Sequence, residues 1–121
     1  MEIYISEEAL ISGIQQDFQE AYPFLRLEFF YADSKLPPDT PIEDIGMMHT
    51  FGWIDISKHR TAAEVEHDFK HLMGLSVQIM RKCGDLWVQT NKTDFWTLKQ
   101  LNEEGRLAQH HMFFYPDEPA E

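Results

Sequence analysis

The chain contains two similar segments, and the second is displaced from the first by 51 residues. When residues 2–18 are aligned without a gap on residues 53–69, five of the seventeen positions are identical. Each segment begins with alternating apolar and polar residues, continues with apolar residues at steps of three and four, and runs into a second apolar stretch. These periods are typical of a strand, a helix and another strand. The repeat therefore predicts two βαβ units.

Local signals predict where the two helices begin and end. Thr61 and Glu64 match a capping box, in which each side chain binds a backbone N–H that the first turn leaves unpaired. Gly74 can adopt positive φ and predicts the end of this helix. In the first unit Ser6 is the predicted N-cap, and Pro23 ends the helix because proline cannot continue it.

Composition predicts the segments outside the two units. Residues 32–46 contain three prolines and little periodicity, so we expect a solvated connection between the units. A hairpin and a short helix follow the second unit, with Thr93 or Asp94 as the helix cap and Gly105 at the helix end. Residues 116–121 are acidic and are predicted to be a frayed tail.

Two βαβ units without a Gly-rich phosphate turn favour one α+β architecture. We predict a single domain over residues 1–121, a ferredoxin-like sandwich with an added strand and a short C-terminal helix. A ubiquitin-like or other mixed α+β roll is the alternative, because it can hold the same elements. In the ferredoxin-like fold both helices cover one sheet face and leave the other open. Strand alternation places the following residues on that open face: Tyr4, Arg26, Glu28, Phe30, Asp55, Gln78, Met80 and Trp87.

Charge and hydropathy exclude several classes of partner. Ten Lys and Arg residues against 21 Asp and Glu residues give a net charge of −11, which repels nucleic acid and anionic membrane surfaces. The single Cys83 excludes an intramolecular disulfide. No stretch reaches the roughly 20 apolar residues of a membrane helix. We therefore expect a cytoplasmic protein that binds neither nucleic acid nor membrane.

The chain has more aromatic residues than a small core must bury: nine Phe, four Tyr and three Trp. Trp, Tyr and Met are enriched in the cores of protein interfaces. The sequence therefore predicts a small non-catalytic interaction module that binds another protein or pairs with itself as a homodimer. The interface candidates are Tyr4, Phe30, Met80, Trp87 and Trp96. In the alternative, residues 112–115 fold over these rings and cover them.

Few residues suggest catalysis or metal binding. His67 and His71 lie one helical turn apart, and Glu64 and Asp68 are near them in sequence. A solvated helix face explains the same residues, so we assign no catalytic residue, cofactor or metal. The alternative function is a small enzyme or ligand-binding domain, with a pocket near residues 32–46 and a metal requirement supplied by this helix.

Overall fold

The computed structural model describes residues 1–45 and 52–109, which form a mixed α+β fold with three helices and two antiparallel sheets. In chain order the elements are β1 (Glu2–Ile5), α1 (Ile11–Ala21), β2 (Leu25–Tyr31), β3 (Ser34–Lys35), β4 (Gly52–Asp55), α2 (Ala62–Met73), β5 (Ser76–Cys83), β6 (Leu86–Gln89) and α3 (Leu98–Ala108). Short 3₁₀ turns occupy Ile42–Ile45 and Asn91–Thr93. None of the helices in these ranges has the length and apolar character needed to cross a membrane. The predicted cover at 112–115 and the predicted tail at 116–121 lie outside the described residues.

The strands form two separate sheets. One consists of β1 and β4, and the other has the order β3-β2-β5-β6. The predicted α+β class is confirmed, but the ferredoxin-like form is not, because that form places the strands of both units in one sheet. Here the second strands of the units, β2 and β5, pair with each other and leave β1 and β4 as a sheet of their own. Tyr4 and Asp55 therefore lie on a different sheet from the rest of the predicted open face.

The two repeat units are related by an approximate two-fold axis. Ile3 in β1 pairs with Ile54 in β4, which is its counterpart in the displacement of 51 residues. Leu27 in β2 pairs with Ile79 in β5. These two residues are counterparts because the second unit has one more residue before β5 than the first unit has before β2. When equivalent residues pair in this way, the two units of the chain contact each other through equivalent surfaces, as the two subunits of an isologous dimer do. The repeat in the sequence thus corresponds to a repeat in the structure.

The repeat extends one strand further than the sequence predicted. β3 pairs with β2 as β6 pairs with β5, and Lys35 and Trp87 occupy equivalent positions on these outer strands. Both hairpin turns place a positive-φ residue directly after the longer strand, Ala32 (φ 51°) in the first and Gly84 (φ 62°) in the second. Each unit is therefore βαββ rather than βαβ, and what was expected to be an added strand belongs to the second unit.

Equivalent polar side chains on α1 and α2 bind equivalent strands. Gln15 Nε2 donates a hydrogen bond to Leu27 O (2.7 Å), and Glu66 Oε2 accepts one from Ile79 N (2.8 Å). Each bond satisfies a backbone group of the four-stranded sheet. Because positions 15 and 66 are counterparts in the displacement, the symmetry extends from the strands to these contacts.

One apolar core joins both sheets and all three helices. The isoleucines of β1 and β4 that alternate with exposed residues point into it, as do the apolar faces of the helices. Burial of this much apolar surface is the main stabilising term in a domain of this size. Its members include Ile3, Ile5, Ile14, Phe18, Leu25, Leu27, Phe29, Ile54, Val65, Phe69, Ile79, Leu98 and Leu101.

The connection between the units binds the start of the first helix. α1 begins at Ile11, so Ser6 is not its N-cap, and the capping residue Leu10 makes no side-chain bond. The carbonyl of Thr40 accepts from the backbone N–H of Ile11 (3.0 Å), which satisfies one of the donors that a helix N-terminus leaves open. Ile42, from the same connection, is fully buried. The connection was expected to be solvated, but this part of it packs against the core and binds α1.

Helix α2 has the predicted boundaries, and the capping box of Thr61 and Glu64 and the αL residue Gly74 are confirmed.

Helix α3 differs from its prediction. Its N-cap is Thr97, which accepts a bond from Gln100 N, and neither Thr93 nor Asp94 caps it. Gly105 lies inside α3, where a Cβ would come within 2.8 Å of Phe24 Cβ. The glycine therefore allows close packing and does not end the helix.

Candidate functional site

The four-stranded sheet has one face directed at the core and one face directed away from it. On β2 and β5 the core-facing residues include Leu27 and Ile79. Strand alternation places the residues between them on the opposite side. We call that side the outer face, and it comprises Arg26, Glu28, Phe30, Lys35, Gln78, Met80, Lys82, Trp87 and Gln89.

An aromatic residue and a lysine face each other across the strands at both edges of the outer face. Phe30 is paired with Lys35 between β2 and β3, and Lys82 is paired with Trp87 between β5 and β6. The approximate two-fold axis relates the two pairs. The aromatic residue lies on the inner strand β2 in the first pair and on the outer strand β6 in the second. Opposed side chains of this kind lie close enough to interact directly.

The indole of Trp87 has two cations over it. Lys82 Nζ is 4.9 Å from the ring centroid and Arg26 Cζ is 5.7 Å from it. Cations within about 6 Å of a ring are attracted by its quadrupole. The half-buried ring therefore has two charged neighbours that can hold it in place.

One buried carboxylate lies among the cations of the outer face. Glu28 is only 5% exposed, and its Oε2 lies 2.9 Å from Arg26 Nε and 3.7 Å from Lys35 Nζ. A buried carboxylate requires such partners, because removal of the charge from water is costly. With Lys82, the face carries three cations against this one anion. It is locally positive on a chain whose net charge is −11.

The five predicted interface residues do not form one cluster. Phe30, Met80 and Trp87 share the outer face, where Met80 is the cross-strand partner of Arg26. Tyr4 lies on the two-stranded sheet, and Trp96 precedes α3 and packs against the edge of the core. Lys35 and Lys82 were not among the residues predicted for this face. The alternation around the hairpin turn contained the signal for Lys82, because it lies directly opposite Trp87.

No protein-family model, curated protein or solved structure matches this chain.

The candidate metal-binding residues on α2 are mostly engaged elsewhere. Asp68 binds Arg60 (2.6 Å), and Glu64 belongs to the capping box of Thr61. His67 and His71 stack in parallel, with ring centroids 5.4 Å apart and planes 9° apart. Among residues 1–45 and 52–109 no group of three or more His, Cys, Asp and Glu side chains could hold a metal ion.

Glu66 is a carboxyl with altered acidity that the sequence analysis did not single out. Burial raises the pKa of Glu66 to about 7, the bond from Ile79 N opposes this rise, and the charge of Asp94 adds to it. The carboxyl therefore titrates near neutral pH at the edge of β5. Its counterpart in the first unit is the neutral Gln15, which was the signal available in the sequence.

Proposed function

We propose that this protein is a small non-catalytic interaction module that binds a partner protein through the outer face. The observation that carries the proposal is the two aromatic–lysine cross-strand pairs, Phe30 with Lys35 and Trp87 with Lys82, at opposite edges of one sheet. Interface cores are enriched in aromatic residues, Met and Arg, and this face has all three kinds. The proposal includes the cytoplasmic location predicted from the sequence.

The charges on this face favour a particular kind of partner. Three cations and one buried carboxylate attract a surface that presents a few carboxylates among apolar side chains. Phe30 and Trp87 supply rigid contact area, and Met80 can adapt to the shape of the partner. A polyanion such as nucleic acid is disfavoured as a partner, because its many negative charges are repelled by the net charge of −11 on the whole chain.

Self-association is the second form of the proposal. An isologous homodimer through the outer face would bring Arg26, Lys35 and Lys82 of one copy towards the same residues of the other. Like charges in such a contact oppose binding. We therefore place a different protein first as the partner. Light scattering over a hundredfold dilution would decide, since a persistent dimer that Trp87→Ala converts to a monomer would assign the face to a second copy.

The direct test uses a peptide that alternates Phe and Glu, compared with a peptide that alternates Phe and Gln. Binding is followed by ¹⁵N NMR, through the indole N–H of Trp87 and the backbone N–H signals of β5 and β6. We expect the Glu peptide to bind more tightly, and Lys82→Glu to weaken its binding by about fivefold, the upper effect of one exposed charge pair. Trp87→Ala should weaken both peptides, because each loses the same aromatic contact.

The matched control is Lys58→Glu, which makes the same charge change at an exposed residue outside the four-stranded sheet. It should alter binding less than Lys82→Glu does. Equal losses in the two variants would mean that the peptide responds to net charge alone. Equal binding of the Glu and Gln peptides would mean that the cations of the outer face have no role.

A ligand-binding domain with a site near residues 32–46 remains the alternative function. A pocket of about 220 Å³ lies beside this connection and is lined by Tyr31, Leu36, Thr40, Asp44 and Ile45. Small-molecule sites usually measure about 300–1,000 Å³. The pocket is smaller than this, and for that reason we place the interaction module first.

A further inference from the structure

The two-stranded sheet exposes a cross-strand pair of large aromatic residues. Tyr4 in β1 lies opposite Trp53 in β4, with ring centroids 4.9 Å apart and planes inclined by 57°. The residues are 47% and 59% exposed, while their neighbours Ile3 and Ile54 are buried in the core. The rings therefore face away from the core, and water has access to both.

Two carboxylates stand beside these rings on the same side of the sheet. Glu2 and Asp55 are opposed in the register two residues along the strands from Tyr4 and Trp53, so alternation places them on the same side of the sheet. Like charges directly opposite each other destabilise a sheet when nothing lies between them. We call these four residues the Tyr4–Trp53 face.

The carboxylates differ in how they are held. Asp55 accepts hydrogen bonds from the backbone N–H and the hydroxyl of Ser57. These bonds hold the pKa of Asp55 below its usual range, so the group is an anion at neutral pH. Glu2 is exposed, and its carboxylate has no hydrogen-bond or ion-pair partner within the described residues. One anion is thus fixed in position and the other is free to move towards a ligand.

We propose that the Tyr4–Trp53 face binds a lysine or arginine side chain of a basic segment in a partner protein. Two adjacent rings attract a cation through their quadrupoles, and the two flanking carboxylates can form ion pairs with it. The whole chain carries a net charge of −11, so a basic segment is also attracted at long range. This site is on a different sheet from the outer face and has the opposite charge. Its partner chemistry is therefore distinct from that of the function proposed above.

The experiment uses a hexa-arginine peptide, with a hexaglutamate peptide as the charge control. Titrations are followed by ¹⁵N NMR, so that the indole N–H signals of Trp53, Trp87 and Trp96 report separately. The largest shift on addition of hexa-arginine should occur at Trp53. Trp53→Leu, which keeps an apolar residue and removes the π system, should weaken binding by about two- to fivefold. Circular dichroism verifies that this variant is folded.

Glu2→Gln tests the free carboxylate, and Asp85→Asn is its matched control. Asp85 is an exposed acid in the β5–β6 turn of the other sheet, and its replacement removes one negative charge. Glu2→Gln should weaken binding by about two- to fivefold, and Asp85→Asn should leave affinity within experimental error. Equal effects of these two substitutions, unchanged affinity in Trp53→Leu, or shifts spread evenly over the acidic surface would each overturn the proposal. Binding of hexaglutamate at Trp53 would overturn it as well.

Discussion

Replacement of Glu66 by Gln is expected to remove a pH-dependent loss of stability. Burial raises the pKa of this carboxyl from 4.5 to about 7. Below pH 4.5 the group is protonated in both the folded and the unfolded chain. Between pH 4.5 and 7 the folded chain keeps the proton while the unfolded chain releases it. The stability associated with the protonated carboxyl is therefore complete below pH 4.5 and is lost as the pH rises through about 7.

The size of the effect follows from the shift and from the contacts. A rise from 4.5 to about 7 corresponds to about 3 kcal/mol, at roughly 1.4 kcal/mol per pH unit. Partial access of water to the side chain reduces this, so we expect about 1–3 kcal/mol. Gln has nearly the same shape and can still accept the bond from Ile79 N. The amide at the equivalent position, Gln15, already fits against β2 in the first unit.

The measurement is the free energy of unfolding from urea titrations at pH 5 and pH 8.5. The wild-type chain should lose more stability between these pH values than Glu66→Gln, by about 1–3 kcal/mol. Glu8→Gln serves as the control, because Glu8 is exposed and the substitution makes the same charge change. If Glu66→Gln and the wild type change equally with pH, then Glu66 is not a neutral-pH titrating group and the reasoning from burial is refuted.

Four further substitutions test the packing, the helix caps and one turn. Gly105→Ala should lower the free energy of unfolding by about 1–3 kcal/mol, because its Cβ would lie 2.8 Å from Phe24 Cβ; thermal stability equal to wild type would disprove this close contact. Thr61→Ala should cost about 1 kcal/mol in urea unfolding through loss of the capping box, and Thr97→Ala should cost a similar amount if the two boxes are equivalent. Ala32→Gly should stabilise the chain by about 0.5–1 kcal/mol, because Ala32 has φ 51°; a lower melting temperature would contradict this.

The sequence predicted the elements better than it predicted their pairing. Helix α2 has the expected ends because Thr61 and Gly74 act through bonds within a few residues of themselves. Alternation in β2 identifies which side chains share a face, but it does not identify which strand pairs with β2. The pairing of β2 with β5, and the separate sheet of β1 and β4, depend on contacts between residues far apart in sequence. The Thr97 cap is an exception, because Thr97 and Gln100 form a local capping box that the sequence pattern contained.

The candidate site was predictable to the extent that it is local. Met80 and Trp87 belong to one hairpin, and alternation alone places Met80 and Lys82 on one side of β5. Phe30 joins them because β2 and β5 are neighbours, which the sequence did not establish. Tyr4 was expected on the same face only because all strands were expected in one sheet. Its actual neighbour, Trp53, is the residue opposite it in the pairing of β1 with β4.

The approximate symmetry separates residues that maintain the fold from residues available for function. On the core side of the four-stranded sheet, Leu27 and Ile79 are equivalent and both are buried and apolar, while the next equivalent pair is Phe29 and Arg81, both large and buried. On the outer face the equivalent positions differ, since Glu28 corresponds to Met80 and Phe30 corresponds to Lys82. Core packing restricts both halves to similar shapes and volumes, whereas outer positions need only a sheet-compatible residue. A partner that contacts the outer face therefore meets two different halves, and it can bind in one orientation only.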